Sequence, residues 1–458
     1  MNRAFWGKIL LVGLMTFAIL FPLEMIRGVI NERVAHRQEA IANIAASYAG
    51  EQSIAGPVMI IPYVDIEQIK EVDPLNNKET VRTNSTKGIT YLFPKELLID
   101  GKLEPQTRYR GLHEVRVYEW QGNISASFDD TLPVKQGRTY GAPVLGVEIK
   151  DVRGLAGSPR LSLDKQALDI KNGSGLAGSD GIHAVLGPVP ANNKVSGQVS
   201  LQLNLAGTES FSLVPLGDNN KFTMNSRWPH PQFAGAFLPR SRSVTAKGFE
   251  ASWEISALAA NTQRQYVNSN NTPTPGVVDT NLNHGHLDAL SVNLVEPINI
   301  YSQTDRASKY GLLFVLLTFV GFFMFELIKR LAIHPVQYML VGLGLTIFFL
   351  LLLSLSEHIP FLYAYLVASG ACIGLLAFYL SHVLRSKMRG IGFGAMLTAL
   401  YAALYGLLAS EDNALVLGSL LLFAILAAIM VVTRKIDWYQ VSSVRGNLST
   451  KPASGPGS

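Results

Sequence analysis

The chain has 458 residues, a formal net charge of +5, 48% apolar residues and 16% charged residues, with a mean hydropathy of +0.22. This apolar content excludes a disordered or collagen-like chain, and the single cysteine, Cys372, excludes a fold held together by disulfide bonds. Since soluble domains carry roughly 25% charged residues, the composition indicates apolar membrane spans combined with a more polar region.

The first apolar segment lies at the N-terminus. Ile9 to Leu23 carries no charge, and Arg3 and Lys8 give it the basic front of a signal sequence. The residues that follow offer no small-residue cleavage site. We therefore predict an uncleaved signal-anchor helix over residues 1–26, with its N-terminus in the cytoplasm.

A helical stalk is predicted to follow over residues 27–56. Ile30, Val34, Ile41 and Ile44 recur at helical spacing and form one apolar stripe. We expect this stalk to continue the first helix, with its apolar stripe running up to Ala49-Gly50, and the character of the sequence changes to strands after Gly56-Pro57.

The sequence pattern predicts a β-rich domain over residues 57–309, because runs of β-branched and aromatic residues alternate there with Gly, Pro, Asn and Asp. The pattern is cleanest from Ser200 to Leu205, as in a strand with one wet and one buried face. A large β-sandwich is the expected architecture, and the polar segment Asn261–Asn271 is expected to be a loop. The predicted strands are Val58–Val64, Ile89–Phe93, His113–Trp120, Val144–Ile149, Val199–Leu205, Phe211–Val214, Phe222–Trp228, Phe249–Ile255 and Leu290–Ile300.

The last third of the chain predicts five more membrane helices. Only nine of the 124 residues from Tyr310 to Thr433 are Asp, Glu, Lys or Arg, and a helix of about 20 apolar residues crosses a bilayer. The fold class is thus a membrane protein of α plus all-β type with six transmembrane helices, one N-terminal and five C-terminal in a bundle over residues 310–433. The five spans are about Tyr310–Leu327, Val336–Leu355, Phe361–Leu384, Ile391–Ala409 and Ala414–Val432.

The basic residues of the connecting turns predict the orientation, because Lys and Arg are retained on the cytoplasmic side. They follow the second, fourth and sixth helices, whereas the other two turns carry only acidic residues. Both termini and the tail 434–458 are therefore expected in the cytoplasm of a bacterial inner membrane, with residues 27–309 in the periplasm. The positive charge marks this topology, so the expected partner is the lipid bilayer and not nucleic acid.

Two motifs of the β-rich region suggest chemistry only weakly. Residues 173–178 match the dinucleotide pattern GxGxxG, but they lie in a Gly/Ser loop without the strand-to-helix context that binds pyrophosphate. His284 and His286, with Asp288 nearby, supply fewer ligands than the three or four of a zinc site. We predict no catalytic residues, no metal site and no cofactor.

Glu326 is the one acid inside a predicted span. It precedes Lys329 and Arg330 by three and four residues, on the same helical face. We expect an ion pair at the membrane interface. A coupling-ion role is the alternative, although no partner for it is evident.

A proline-flanked aromatic loop runs from Trp228 to Pro239. Two prolines around His230 disfavour helix and make the loop stiff. Its side chains are either a wall facing a ligand or a structural corner between sheets. The candidate binding residues are Trp228, His230, Phe233 and Phe237.

The chain resembles the CreD family of bacterial inner-membrane proteins in its helix arrangement and in motifs spread over nearly its whole length. The resemblance implies a stress-associated protein of cell-envelope integrity, linked to a sensor-kinase regulon, and it brings no catalytic residues. The motifs that carry it are Trp228-Pro229-His230-Pro231 through Phe237-Leu238-Pro239, Thr304 to Tyr310, His334 to Tyr338, Leu355 to His358 and Thr433 to Tyr439.

Several of these motifs lie at membrane boundaries. Thr304 or Asp305 is expected to cap the second helix, and polar residues at these positions suit a junction that passes force or signal. The candidate junction residues are Thr304, Asp305, Arg306, His334, Glu357 and His358.

Three functions follow from the sequence. The first is a non-enzymatic envelope protein whose periplasmic β-domain binds or senses an envelope component or a membrane-protein partner. The alternatives are an enzyme that modifies envelope glycans or lipids, and a transporter, although the spans are nearly bare of mid-membrane polar residues. Oligomeric state stays open.

Overall fold

The computed structural model describes residues 3–72, 79–111, 113–271, 287–294, 300–329, 333–384, 386–409 and 414–434. The chain divides into two compact units. One, the membrane unit, contains Met1–His36 and Ile298–Ser458, and the other, the β-domain, contains Arg37–Pro297.

Six helices contribute to the membrane unit. Among the described residues, five are long and apolar enough to cross a membrane, one near the N-terminus and four in the last third of the chain. The sixth predicted span is also helical, and its described apolar part, Val416–Ala427, is shorter. The helices are α1 Arg3–Ser47, α3 Ile300–Lys329, α4 Pro335–Ser356, α5 Phe361–Val383, α6 Lys387–Ala409 and α7 Ala414–Thr433; α2 Thr262–Asn271 belongs to the β-domain.

The membrane helices pack through aromatic rings and glycines. The rings of Phe348 and Tyr401 lie 4.6 Å apart between α4 and α6. Gly342 lets α1 approach α4 closely, since a Cβ there would lie 2.8 Å from the Ile19 side chain. Gly394 of α6 similarly faces α5. Such contacts are expected in lipid, where hydrophobic drive between helices is absent.

The β-domain contains two mixed sheets. The nine-stranded sheet runs β14-β17-β12-β1-β6-β10-β9, with β2 and β5 also paired to β1, and the eight-stranded sheet runs β15-β16-β13-β3-β4-β11-β7-β8. The strands are β1 Gln52–Val72, β2 Glu79–Leu92, β3 Glu96–Arg110, β4 His113–Thr131, β5 Arg138–Tyr140, β6 Val144–Ile149, β7 Leu155–Leu163, β8 Gln166–Ala167, β9 Lys171–Asn172, β10 Gly181–Val185, β11 Lys194–Thr208, β12 Ser210–Val214, β13 Asn219–Ser226, β14 Pro231–Gly235, β15 Ser241–Thr245, β16 Gly248–Ser256 and β17 Leu290–Leu294.

The buried faces of both sheets form one core. Trp120 of the eight-stranded sheet and Phe211 of the nine-stranded sheet are fully buried, with ring centroids 4.7 Å apart. The indole of Trp120 lies against Gly101 and Gly122, where any Cβ would overlap it. These glycines therefore let the two central strands of the sheet lie flat on the ring.

The structure corrects several predictions from the sequence. Residues predicted as a polar loop form α2, because Tyr266 is buried against the nine-stranded sheet and Thr262 donates to the Pro215 carbonyl. The second membrane helix begins at Ile300, ten residues before the predicted span. The ninth predicted strand is described over Leu290–Leu294, and its last residue, Ile300, belongs to this helix, while residues 295–299 lie outside the described part of the chain.

Candidate functional site

The aromatic loop closes on itself through Trp228. The indole Nε1 of Trp228 donates to the His230 carbonyl over 2.8 Å, and the Arg116 guanidinium lies 4.7 Å from the centre of the indole ring. His230 is exposed while Trp228 is half-buried. The two predicted binding residues are thus brought together, with an arginine beside the indole.

The other two residues of the predicted loop site face the core. The Phe233 ring makes edge contacts with Phe249 and Trp253, at centroid distances of 5.6 and 5.9 Å. The Phe237 carbonyl accepts a hydrogen bond from the Trp253 indole. Phe233 and Phe237 therefore brace the strands that follow the loop.

The boundary residues of α3 lie within the helix. Since α3 begins at Ile300, neither Thr304 nor Asp305 is its N-cap. Thr304 is fully buried, Asp305 is half-buried and pairs with the exposed Lys309 at 2.7 Å, and Arg306 is half-buried.

The boundary residues of α4 lie at its two ends. His334 caps the helix by accepting from the Val336 amide, while Gln337 accepts from the His334 amide to complete a capping box. Glu357 follows the last turn and lies 3.5 Å from Arg33 of α1. Because α4 has 22 residues, about 33 Å at 1.5 Å per residue, His334 does not share a site with Glu357.

His358 completes the predicted junction residues. Its Nδ1 donates to the Ser354 carbonyl over 3.1 Å, within the last turn of α4. The six residues thus fall into three places, namely Thr304, Asp305 and Arg306 within α3, His334 at the start of α4, and Glu357 and His358 at its end.

Glu326 is buried and fixes the turn between α3 and α4. One carboxylate oxygen accepts from the Tyr338 hydroxyl at 2.9 Å and the other from the Ile333 amide at 3.4 Å. The pairing expected with Lys329 and Arg330 lies outside the described side chains.

The end of α1 is held inside the β-domain by a polar clasp. Arg153 donates to the Ala46 carbonyl at 2.8 Å, and Asp151 accepts from the Gly50 amide at 2.9 Å. Thr208 donates to the Ala49 carbonyl at 2.6 Å. The Arg153 guanidinium also holds the pKa of Asp151 below its usual range. The unsatisfied carbonyls of the last helical turn are thus partly capped by β-domain groups.

A charged cluster lies on the nine-stranded sheet. Arg138 donates to both oxygens of Asp65, at 2.6 and 2.8 Å, and Lys135 adds a third hydrogen bond at 3.0 Å. The guanidinium also stacks on Tyr63, 3.7 Å from the ring centre. These cations hold the pKa of Asp65 well below its usual range, so the cluster is a saturated ion pair.

A buried carboxyl, Glu148, lies beneath α2. Burial raises the pKa of Tyr266, and a hydrogen bond to Glu148 raises it further. Tyr91 packs edge-on to Tyr266, at a centroid distance of 5.8 Å. This group fastens the polar helix to the sheet.

A polar groove of about 460 Å³ lies on the outer face of the eight-stranded sheet. Five carboxamide side chains, two basic groups and one carboxylate dominate its walls. The groove residues are Asp100, Gly101, Lys102, Gln121, Gly122, Asn123, Ala156, Gly157, Ser158, Arg160, Gln202, Leu203, Asn204 and Asn225.

The strand register arranges the side chains of this groove in two rows. The first row pairs Asn225 with Lys102, Lys102 with Gln121, and Gln121 with Asn204. The second row pairs Asp100 with Asn123, Asn123 with Gln202, and Gln202 with Arg160. Because alternate residues of a strand share one face, the two rows run side by side.

One wall of the groove is a bulge in β7. Gln202 and Asn204 of β11 are two residues apart, but their partners Arg160 and Ala156 are four apart. The extra length includes Gly157, whose φ of +74° favours glycine. The bulge turns an otherwise flat sheet face into a concave one.

This groove was missed in the sequence, where no local motif marks it. The alternating segment Ser200–Leu205 predicts a strand with a polar outer face, and its polar residues Gln202 and Asn204 belong to the groove. Their neighbours come from four other strands, and only the register brings them together.

The described residues hold no group of three or more His, Cys, Asp or Glu side chains that could bind a metal ion. The GxGxxG segment connects β9 to β10, two antiparallel strands, and not a strand to a helix. His284 and His286 lie outside the described residues.

Comparison with known proteins gives one extensive match. A family of sequences described as inner membrane protein CreD matches residues 4–439. The inner membrane protein CreD of Escherichia coli (strain K12) is 35% identical over 444 residues, which cover 96% of this chain and 94% of that protein.

The solved structures that match this chain have low structural similarity to it. Two crystal structures of an M1 zinc metallopeptidase from Deinococcus radiodurans cover 35% of this chain and 38% of that protein, with 9% identity. Their TM-scores are 0.20 and 0.21, too low to support an inference.

Proposed function

Because this chain belongs to the CreD family of inner membrane proteins, we propose that it maintains cell-envelope integrity under stress, with the β-domain as its periplasmic binding or sensing module. The observation that carries this proposal is the concave polar groove on the β-domain. A membrane protein that only spans the bilayer has no use for such a surface.

The attachment of the β-domain supports the same function. The domain lies in sequence between two apolar helices, α1 and α3, so it is tethered at both ends to segments that cross the membrane. The clasp of Arg153 and Thr208 on the end of α1 fixes the first tether. The proposed placement in the periplasm is supported by the Lys and Arg residues of the C-terminal turns, and a sixth crossing at α7 is part of the proposal.

A hydrolytic function is less well supported. A glycosidase uses two carboxyl groups roughly 5–10 Å apart across its cleft, and the described groove residues include a single carboxylate, Asp100. That carboxylate already accepts a hydrogen bond from Thr223 at 2.5 Å. The residues of the groove therefore favour ligand binding over hydrolysis.

The topology can be tested with single cysteines, because the natural Cys372 is buried in the membrane unit. Leu258 is fully exposed on the β-domain, and Met388 is exposed beside the turn between α5 and α6. A membrane-impermeant maleimide added to spheroplasts should label Leu258→Cys. It should label Met388→Cys only after lysis, and the unmodified chain should stay unlabelled. Labelling of Met388→Cys alone in intact spheroplasts would place the β-domain in the cytoplasm and overturn the proposal.

The role in integrity needs a second measurement. A strain that lacks the gene should leak periplasmic enzymes and become sensitive to detergent, and expression of the full chain should reverse both effects. Unchanged leakage and detergent resistance in the deletion strain, under envelope stress, would contradict the proposed function.

A further inference from the structure

The groove of the eight-stranded sheet has the length of a chain-like ligand. Each row of side chains crosses four strands, and neighbouring strands lie about 4.8 Å apart, so a row is about 14 Å long. The rows are separated by two residues along each strand, or about 7 Å. A ligand several units long would therefore lie across the strands with polar groups on both of its edges.

The chemistry of the rows selects the ligand class. Gln121, Asn123, Gln202, Asn204 and Asn225 each present a donor and an acceptor at once. Sugar hydroxyls have the same dual character, and an acetamido group offers an N–H and a C=O that pair with a carboxamide. Carboxylates or ammonium groups would match only half of each side chain.

The charges of the groove point the same way. Asp100, Lys102 and Arg160 leave a formal charge of only +1, from two positive groups and one negative group. Lys102 is already paired with Glu104, and Asp100 with Thr223. A polyanion would call for a denser cluster of basic groups, and the scarcity of apolar side chains disfavours an acyl chain.

The floor of the groove between the two rows of side chains is backbone. Gly101 and Gly122 are paired across β3 and β4 and separate the two rows. Trp120 occupies the space on the core side of these glycines, where any Cβ would overlap the indole. The floor is therefore bare backbone, braced from below.

We propose that this groove binds an extended glycan segment that carries hydroxyl and acetamido groups. The inference rests on the proposed function, which places the β-domain among envelope polymers. The carboxamides of the two rows make the hydrogen bonds, and the β7 bulge at Gly157 and Ser158 flanks the glycan on one side.

Binding can be measured by isothermal titration on the full chain, in a detergent without a sugar headgroup, with chitohexaose as the probe. The unmodified protein should bind chitohexaose. The pair Asn123→Ala with Gln202→Ala removes two opposed carboxamides and should weaken binding at least about tenfold, because the loss of each hydrogen bond weakens binding roughly two- to tenfold. The matched pair Gln106→Ala with Gln198→Ala removes two exposed carboxamides of the same sheet face outside the groove, and should bind normally.

A second variant keeps every carboxamide. Ser158→Trp places an indole on the bulge and should block the groove, so chitohexaose binding should fall while the melting temperature stays within a few degrees. Binding by both groove variants at the normal affinity would overturn the inference. So would binding of polyphosphate in place of chitohexaose, because that result identifies a polyanion site.

The two proposals can fail separately. Chitohexaose binding uses purified protein and does not depend on topology, whereas maleimide labelling of Leu258→Cys does not depend on any ligand. Periplasmic labelling without chitohexaose binding removes the glycan inference and leaves the envelope function. Chitohexaose binding with a cytoplasmic β-domain removes the envelope function.

Discussion

Arg153 donates a hydrogen bond to the carbonyl of Ala46 over 2.8 Å, so that a β-domain side chain caps the last turn of α1. The same guanidinium pairs with Asp151, which accepts from the Gly50 amide just beyond the helix. Helix end and sheet are thereby fixed to each other within the β-domain by side chains of one short segment, residues 151–153.

Replacement of this arginine should loosen the helix end. The Arg153 side chain is 57% exposed, so we expect Arg153→Ala to lower the unfolding free energy only slightly, because solvent screens an exposed pair. Amide hydrogen exchange over residues 44–50 should become faster in the full chain. The control Arg240→Ala removes a more exposed pair with Glu254 and should leave exchange there unchanged. Equal exchange in both variants would show that the clasp does not hold the helix.

The buried carboxylate of Glu326 gives a prediction for the membrane unit. Tyr338→Phe removes the hydroxyl that donates to it at 2.9 Å, and a hydrogen bond contributes roughly 0.5–1.5 kcal/mol. The melting temperature in detergent should fall by several degrees. Tyr363→Phe is the matched control, since Tyr363 is 60% exposed on α5, and it should melt like the unmodified chain. Identical melting of both variants would contradict this account of Glu326.

Asp65 predicts a pH dependence of stability. The Arg138 guanidinium holds the pKa of Asp65 well below its usual range, whereas an aspartate in the unfolded chain has a pKa of about 3.9. The pair therefore stabilises the fold above this pH, and the stabilisation is lost as the pH falls toward the lower pKa. The melting-temperature gap between the unmodified chain and Asp65→Asn should be full at pH 6 and should shrink progressively below about pH 4. The control Asp129→Asn, from an exposed pair with Lys194, should follow the unmodified chain. A gap for Asp65→Asn that is constant with pH would refute the assignment.

The predicted junction residues should differ in importance. The Glu357 side chain is 8% exposed and lies 3.5 Å from Arg33, whereas the Asp305 side chain is 34% exposed and pairs with the exposed Lys309 four residues away. Glu357→Gln should therefore lower the unfolding free energy by about 1 kcal/mol, and the melting temperature in detergent should fall accordingly. Asp305→Asn should have almost no effect on the melting temperature. The reverse order would show that Asp305 is the structurally important acid.

Each of the nine strand predictions overlaps an observed strand of the β-domain, because burial alternates along these strands, whereas β3, β5, β7, β8, β9, β10, β14 and β15 were not predicted. Val144–Ile149 was predicted with its observed bounds as β6. β3 was missed because Gly101 and Pro105 interrupt its apolar alternation, and those residues are tolerated only through pairing with β4. Local sequence carries no trace of such pairing.

The segment that forms α2 was predicted to be a loop, and the reason for this wrong prediction is similar. Its ten residues are polar except for Tyr266 and Val267, so composition favoured a loop. The helix is stabilised by tertiary contacts, namely the burial of Tyr266 and the bond of Thr262 to the Pro215 carbonyl. The binding groove could not be predicted from the sequence because it also depends on tertiary contacts. Five strands contribute its carboxamides and basic groups, and only the register of these strands aligns them.

The most direct test of the central claim is complementation of a deletion strain by groove variants at matched expression. Full-length chains that carry Asn123→Ala with Gln202→Ala, or Ser158→Trp, should leave the cells leaky and sensitive to detergent. The control with Gln106→Ala and Gln198→Ala should restore the resistance that the unmodified chain gives. Full restoration of resistance by both groove variants would contradict the claim that this protein supports the envelope by binding through the groove of its β-domain.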